Sequence, residues 1–463
     1  MFKKRFITTA VSGLLVMSAL AGCAQSKDTG TASKDKVKKD VTLTVMLTPQ
    51  WKGVQGPTEP GADYDSFFKY AAKEFSKKEK DYNVKINVQV IASDQRDELL
   101  NVKLNGGTPP DIFFENTFAM GDYAHRGALV PLNDIVDAKA KKDIDANYWK
   151  SVTFGKDIYF YPFSHMPGTL TYNADMFKAA GLDQYIGGKD EIKTWSMSDY
   201  EKILNALKTN LPKDKYPNAY PMGLFAVNNQ ADTWNLAYLR MFGNQFFDKK
   251  GNIALDDTKG VKALSWLKKI HDDGLTNPGA ESVSSNDVLS MFKNQKLAIS
   301  FTNPVLYNNT LADMDAGKAP KFDVRLANIP SVSGKPLSFT YVSGAAVFNT
   351  KDETRIKVSK DFVKFFSTDS ELVKASKNGV PVRSSVAKEL KDTNPLFAAY
   401  DKNAQYMFNF TGGVPGYSQL RQVLFPELQA VYTGQKTPAQ AAKDYQTQGN
   451  KIISDAKASS VIK

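Results

Sequence analysis

Asp97-Glu-Leu-Leu-Asn-Val-Lys-Leu-Asn-Gly-Gly-Thr-Pro-Pro-Asp-Ile-Phe-Phe114 carries the alternation that decides the fold. Asp97 to Leu104 reads as a helix ended at Gly106-Gly107, because glycine readily takes the left-handed conformation that closes a helix. Pro109-Pro110 then breaks the chain, and Asp111 to Phe114 is short and apolar, as a buried strand is. Working outward, Val84 to Ala92 alternates apolar with polar residues, and Val41 to Leu47 does so with β-branched ones; both predict strands. Between them, Phe67, Phe68, Ala71, Ala72 and Phe75 recur at helical spacing within Tyr64 to Lys78. Strand, helix, strand, helix, strand in about seventy-five residues predicts a parallel α/β layer.

The alternation continues less regularly downstream. Asp157 to Phe163 and Thr169 to Tyr172 read as extended, and Asp175 to Ala180 as a helix ended by Gly181. Ser198 to Lys208 predicts a helix with Ser198 as its N-cap, and Asn286 to Lys293 one capped by Asn286. Ala231 to Phe242 and Thr258 to Asp272 are helical, whereas Leu297 to Phe301 and Phe339 to Phe348 are strands. Beyond Lys357 helices dominate: Val358 to Phe366, Ser370 to Lys377, Ala398 to Met407, Tyr417 to Tyr432 and Pro438 to Asp455.

Composition removes several classes of function. Of 463 residues 42% are hydrophobic and 24% charged, without a long low-complexity tract, so a disordered or collagen-like chain is excluded. A single cysteine, Cys23, rules out an intramolecular disulfide and a multi-thiolate zinc site. The three histidines, His125, His165 and His271, are too dispersed to suggest a metal centre, and no cofactor motif is present. The net charge of +11 comes from lysines spread among acidic residues; without a basic patch interleaved with aromatics, nucleic acid is not an expected partner. Several of the aromatic residues, 11% of the chain, fall in loops rather than apolar stripes.

The first residues read as an export leader. Lys3, Lys4 and Arg5 precede the apolar run Phe6 to Leu20, which is short for a membrane-spanning helix. The run ends in Leu20-Ala21-Gly22-Cys23, which resembles the lipobox of bacterial lipoproteins, with the Cys23 thiol as the atom that takes the lipid. Residues 1–22 are therefore expected to be a signal peptide. Residues 23–40, rich in Ser, Thr, Lys, Asp and Gly, are expected to be a flexible tether to the outer face of a membrane.

Leu104-Asn-Gly-Gly-Thr-Pro-Pro-Asp-Ile-Phe-Phe114 followed by Gly121-Asp-Tyr-Ala-His-Arg-Gly-Ala-Leu-Val-Pro-Leu132 resembles the extracellular solute-binding proteins, family 1, of ABC importers, the group that includes maltose-binding protein. Further pieces follow in order. Tyr159 to Asn173 looks like the crossover between lobes and Lys193-Thr-Trp-Ser196 like a helix start. Met291 to Ile299 resembles the F-x-x-G-x-A-A-M segment, with Asn294-Gln295 where glycine is common, and Asn378 to Ser384 the late G-x-P-x-R turn. The resemblance implies an α/β, two-lobed periplasmic-binding-protein-like fold (type II) with a hinged cleft. By position, the first lobe spans 41–161 and 345–380 and the second 166–338 and 386–463, with crossings at 162–165, 339–344 and 381–385. It further implies a receptor, not an enzyme, that captures a carbohydrate by lobe closure and passes it to ABC permease subunits, as a monomer anchored through Cys23.

A sugar site needs aromatic faces for the rings and amides or carboxylates for the hydroxyls. Gln50 and Trp51 follow the first strand, where α/β sheets place ligand loops. The alternative is a lid or surface position. Glu115, Asn116 and Phe118 follow the strand ending at Phe114, where the resemblance implies the first-lobe ligand loop; the alternative is solvated loop residues. In the second lobe, Asn229, Gln230, Asp232 and Trp234 open a helix, where Asp232 is alternatively its cap and Trp234 alternatively core. Asn303 and Tyr307 sit where relatives place an aromatic residue; Tyr341 and Ser343 lie on the second crossing; Tyr417 opens a late helix as a ring platform or, alternatively, as packing.

Three rivals stand beside the sugar receptor. The same fold binding a polyamine, phosphate ester or iron chelate would want clustered arginines, helix N-terminal amides, or tyrosines paired with histidine. An exported glycosidase needs two carboxylates roughly 5–10 Å apart, and Glu115 with Asp232 is the pair open to that reading. A structural surface lipoprotein needs no hinged cleft.

Overall fold

The computed structural model describes residues 38–462 apart from 50, 51, 59, 60, 62, 94, 119, 377, 378 and 409–412. The leader, Cys23 and most of the tether lie outside the described residues, as do Gln50 and Trp51. The opening layer is the expected one. Strand Lys39–Leu47 lies parallel between Tyr82–Val90 and Ile112–Asn116, with Val41 opposite Val84 and Val45 opposite Ile112. It starts two residues earlier than the alternation suggests, because Lys39 and Asp40 pair with Tyr82 and Asn83. Helices Ser66–Lys78 and Arg96–Asn105 connect the strands, and the predicted stripe Phe67, Phe68, Ala71, Ala72 and Phe75 is buried. Phe68 packs on Phe114 and Phe366 with both ring centroids 5.5 Å away.

The next strand of this sheet comes from far along the chain. Ser338–Val347 pairs antiparallel with Ile112–Asn116 on one side and with Tyr161–Asn173 on the other. All thirteen residues of Tyr161–Asn173 are buried. Its first half pairs with Ser338–Val347 and Val380–Pro381, its second with Leu297–Thr302 and Val324–Ala327. Two apolar cores flank it. One is built from Val41 to Phe163 and Val342 to Val386, the other from Phe118 and Leu170 to Ile453. The molecule is thus a two-lobed α/β protein whose strands run through both halves. Residues Val382 and Val386 pack in the first core, and Val461 donates its N–H to the His125 carbonyl there.

Two expected helix caps are displaced, and helix Glu353–Thr368 starts five residues before the expected Val358. Helix Met197–Asn210 is capped by Ser196, whose hydroxyl accepts from the Asp199 N–H, and not by Ser198. Helix Ser285–Lys293 is capped by Ser284 in a reciprocal capping box with Asp287, and not by Asn286. In both cases serine two residues earlier is the one with extended backbone, which the apolar stripe alone does not locate. Helices Pro304–Asp315 and Ser384–Thr393 fall where no helix is expected; Asn303 caps the former through the Leu306 N–H.

Candidate ligand-binding site

A cavity of about 860 Å³, open solvent at its mouth included, lies between the two cores. Its walls come from strand ends and helix starts, where an α/β sheet exposes its loops. The first lobe supplies Thr48 after the first strand, Arg96 after the second, and Glu115, Asn116 and Phe118 at the end of the third. The second supplies Gln230, Trp234 and Asn303, and the crossing strands give Met166, Phe339 and Tyr341.

The apolar part is an aromatic corner. Trp234 stacks on Phe301 with centroids 4.7 Å apart and meets Phe339 edge-on at 5.9 Å. Phe118 lies 5.1 Å from Tyr341 and 6.0 Å from Phe339. Asn303 holds Tyr341 in place, its Nδ2 donating to the phenolic oxygen at 2.8 Å. Burial, and Glu115 nearby, push the Tyr341 hydroxyl far above its ordinary range, so it is un-ionised and able to donate.

The polar part is a buried set of three carboxylates and two guanidinium groups. Glu115 accepts from the Thr48 hydroxyl and from the Asn116 N–H at 2.9 Å, with Arg96 3.8 Å away. Burial raises its carboxyl above the usual range despite the Arg96 charge. Asp97 accepts from Arg96 Nε at 2.8 Å and from Arg421 Nη1 at 2.7 Å. Burial alone would raise Asp97; the two guanidinium charges outweigh it and hold the carboxyl at about 2. Asp232 is 2.8 Å from Arg421 Nε and accepts from the Tyr417 hydroxyl at 2.8 Å.

Of the expected site residues, Glu115, Asn116, Phe118, Gln230, Trp234, Asn303 and Tyr341 meet in this cavity. Asn229, Asp232 and Tyr417 stand one layer behind it: Asn229 donates to Asp97, Asp232 accepts from Arg421, and Tyr417 donates to Asp232. Asp232 is no cap: Asn228 holds the turn through the Gln230 N–H, while the Asp232 carboxylate is spent on Arg421 and Tyr417. Tyr307 does not line the cavity and packs instead toward Tyr400 and Leu326. Ser343 lies buried in the strand, directly opposite Ser164. Arg96, Asp97 and Arg421 were not expected. Arg96 and Asp97 open the helix after the second strand, so the strand-end rule that singles out Trp51 would have found them. Arg421 lies inside the stripe Leu420, Leu424, Leu428, which reads as core.

A family description matches residues 59–371: bacterial extracellular solute-binding protein. This chain belongs to that family. The solute-binding protein is 26% identical over 422 residues to the arabinooligosaccharide-binding protein of Bacillus subtilis (strain 168), covering 89% of this chain and 86% of that one. It is 25% identical over 442 residues to the sn-glycerol-3-phosphate-binding periplasmic protein of Salmonella typhimurium, covering 89% and 93%. Maltose-bound T. maritima MalE3 has the same fold, with a TM-score of 0.72 at 18% identity over 89% of this chain and 99% of that one. Among the described residues, no helix of the solute-binding protein is long and apolar enough to cross a membrane.

Proposed function

We propose that this solute-binding protein captures a neutral carbohydrate, an oligosaccharide, between its lobes and delivers it to the permease of an ABC importer. The observation that carries the reading is the composition of the cavity. Trp234, Phe118 and Tyr341 offer faces for sugar rings, and Asn116, Gln230 and Asn303 offer amides for hydroxyls, from both lobes at once. Contacts made with both lobes favour the closed form, so binding and closure are one event. The hinge is placed at 162–165, 339–344 and 381–385, and the lipid anchor at Cys23 on the strength of the Leu20-Ala21-Gly22-Cys23 segment.

A phosphate ester is the second reading, favoured by the glycerol-phosphate-binding relative. Charge argues against it. Both guanidinium groups at the cavity are already paired with Asp97, Glu115 and Asp232, so neither is left over to balance the charge of a phosphate in a water-poor site. Thermal unfolding against neutral sugars and phosphate esters tests the choice. A sugar at a hundred times its dissociation constant should add about 2.7 kcal/mol of stability. A response to glycerol 3-phosphate and to no sugar would overturn the carbohydrate reading and leave the fold intact.

A further inference from the structure

A second groove lies between strand Ile192–Lys193 and helix Pro395–Asn403, and it shares no lining residue with the cavity between the cores. Its volume is about 1150 Å³, open solvent included. The helix is fixed by Tyr400, which packs in a small core with Leu326 and Val380. Two asparagines lining the groove are buried, Asn328 at 1% and Asn403 at 4% exposure. Asn328 is held in place: its N–H donates to the Lys193 carbonyl at 2.7 Å, and its Nδ2 to the Thr194 hydroxyl at 3.0 Å. Among the described residues, its Oδ1 accepts from no group, and the Asn403 Nδ2 donates to none. A buried polar atom without a partner costs stability. Two in one groove, an acceptor from one element and a donor from another, point to a ligand that supplies both partners. The half-buried Tyr406 ring also lines the groove, while Ala398 and Ala399 keep the helix wall free of bulk.

We propose that this groove is a second carbohydrate site, which takes one ring of a neutral sugar outside the main cavity. A hydroxyl is the small group that donates and accepts at once. Neighbouring ring hydroxyls therefore match the Asn328 Oδ1 acceptor and the Asn403 Nδ2 donor, and the Tyr406 ring offers a surface for the apolar face of the sugar. The buried pair is uncharged. Asp190, Glu191 and Lys402 put both signs of charge at the rim, which selects neither an anion nor a cation. Water satisfies the same two amides but gains nothing from Tyr406, so the combination favours a sugar over solvent. The inference goes beyond the carbohydrate reading of the main cavity and does not rest on it, because no residue of that cavity takes part. Its consequence is a second, weaker binding event on the same chain, made without contacts from both lobes.

The test titrates the full-length, isotope-labelled chain with maltotriose and, separately, with arabinotriose, and follows its N–H signals by NMR. Asn328→Leu and Asn403→Leu assign the two side-chain amides through the signals that vanish. In the native chain both amides are expected to shift saturably with one of these sugars, while the Trp234 indole N–H reports the main cavity. Each leucine variant should weaken groove binding about tenfold, read at the Tyr406 backbone N–H, and leave the Trp234 response unchanged. Leucine removes an unpaired buried group, so Asn403→Leu should unfold at a temperature no lower than the native chain. Should Asn328→Leu fail to fold for want of its Thr194 bond, Tyr406→Ala takes its place, read at the Asn403 amide. Groove amides that respond while Trp234 does not would keep this site and count against the carbohydrate reading of the cavity. Amides that stay put with both sugars, that drift without saturating, or a Tyr406 shift that survives Asn403→Leu would overturn the proposal.

Discussion

His165 sits on the long crossing strand, 4% exposed, with its ring stacked on Tyr148 at 5.3 Å and no hydrogen-bond partner for Nδ1 among the described residues. Burial lowers its pKa to about 4, against a small opposing pull from Asp401. The unfolded chain takes up this proton near pH 6.5 and the folded one only near 4, so stability is full above 6.5 and falls as pH drops toward 4. The loss should be roughly 3 kcal/mol, from about 2.5 pKa units at 1.36 kcal/mol each. Urea midpoints measured at pH 7.5, 5.5 and 4.5 check this, and His165→Asn should flatten the slope. Asp97 works in a different window: its depressed carboxyl contributes stability above its unfolded pKa, which is lost only as pH falls from about 4 toward 2. A second change of one atom probes the cavity. Tyr341→Phe removes the acceptor for Asn303 and should cost about 1 kcal/mol of stability. In calorimetry it should weaken sugar binding several-fold, whereas unchanged affinity would take that hydroxyl out of the site.

Gly168 shows how tightly the crossing strands are packed under the cavity. A Cβ there would lie 2.7 Å from the Phe339 carbonyl oxygen and 3.0 Å from the Trp234 ring. Gly168→Ala must therefore displace the indole or part the strands, a strain of roughly 1–3 kcal/mol that also weakens sugar binding. Unchanged urea midpoint and unchanged affinity would show that the strands yield freely. The strand itself was only half legible. Its alternation is interrupted by Ser164, His165 and Pro167-Gly168, so it reads as two extended pieces, while both faces are in fact buried. The opening layer was legible because helix Ser66–Lys78 and strand Tyr82–Val90 each turn one face inward and the other to water, while Ile112–Asn116, buried throughout, is a short apolar run. Helix bodies were legible for the same reason, and their caps were not: Ser196 and Ser198 look alike until the backbone is seen. Among the residues lining the cavity, Glu115 and Asn116 at a strand end and Trp234 near a helix start could be picked out by type and place. Arg421 could not, since its charge is neutralised by partners 324 and 189 residues away. Ser284→Ala, which removes a reciprocal cap, should cost about 1 kcal/mol, read from thermal unfolding.

At the scale of the whole molecule, the two lobes share strands, a cavity and a buried charge set, so events in one are felt in the other. The Asp97–Arg421 pair joins helix Arg96–Asn105 to helix Tyr417–Tyr432 beside the cavity. The interleaving of the chain has another effect. The first core takes Lys39–Leu47 from near the start and then, after the chain of the second core has intervened, Ser338–Val347 and Glu353–Thr368. A chain halted before Ser338 would leave Ile112–Asn116 with an open edge, and Phe68 and Phe114 without the cover of Phe366. Contacts so distant in sequence form slowly, because the loop between them has to be ordered first. During synthesis, then, the first lobe stays incomplete until most of the protein has been made.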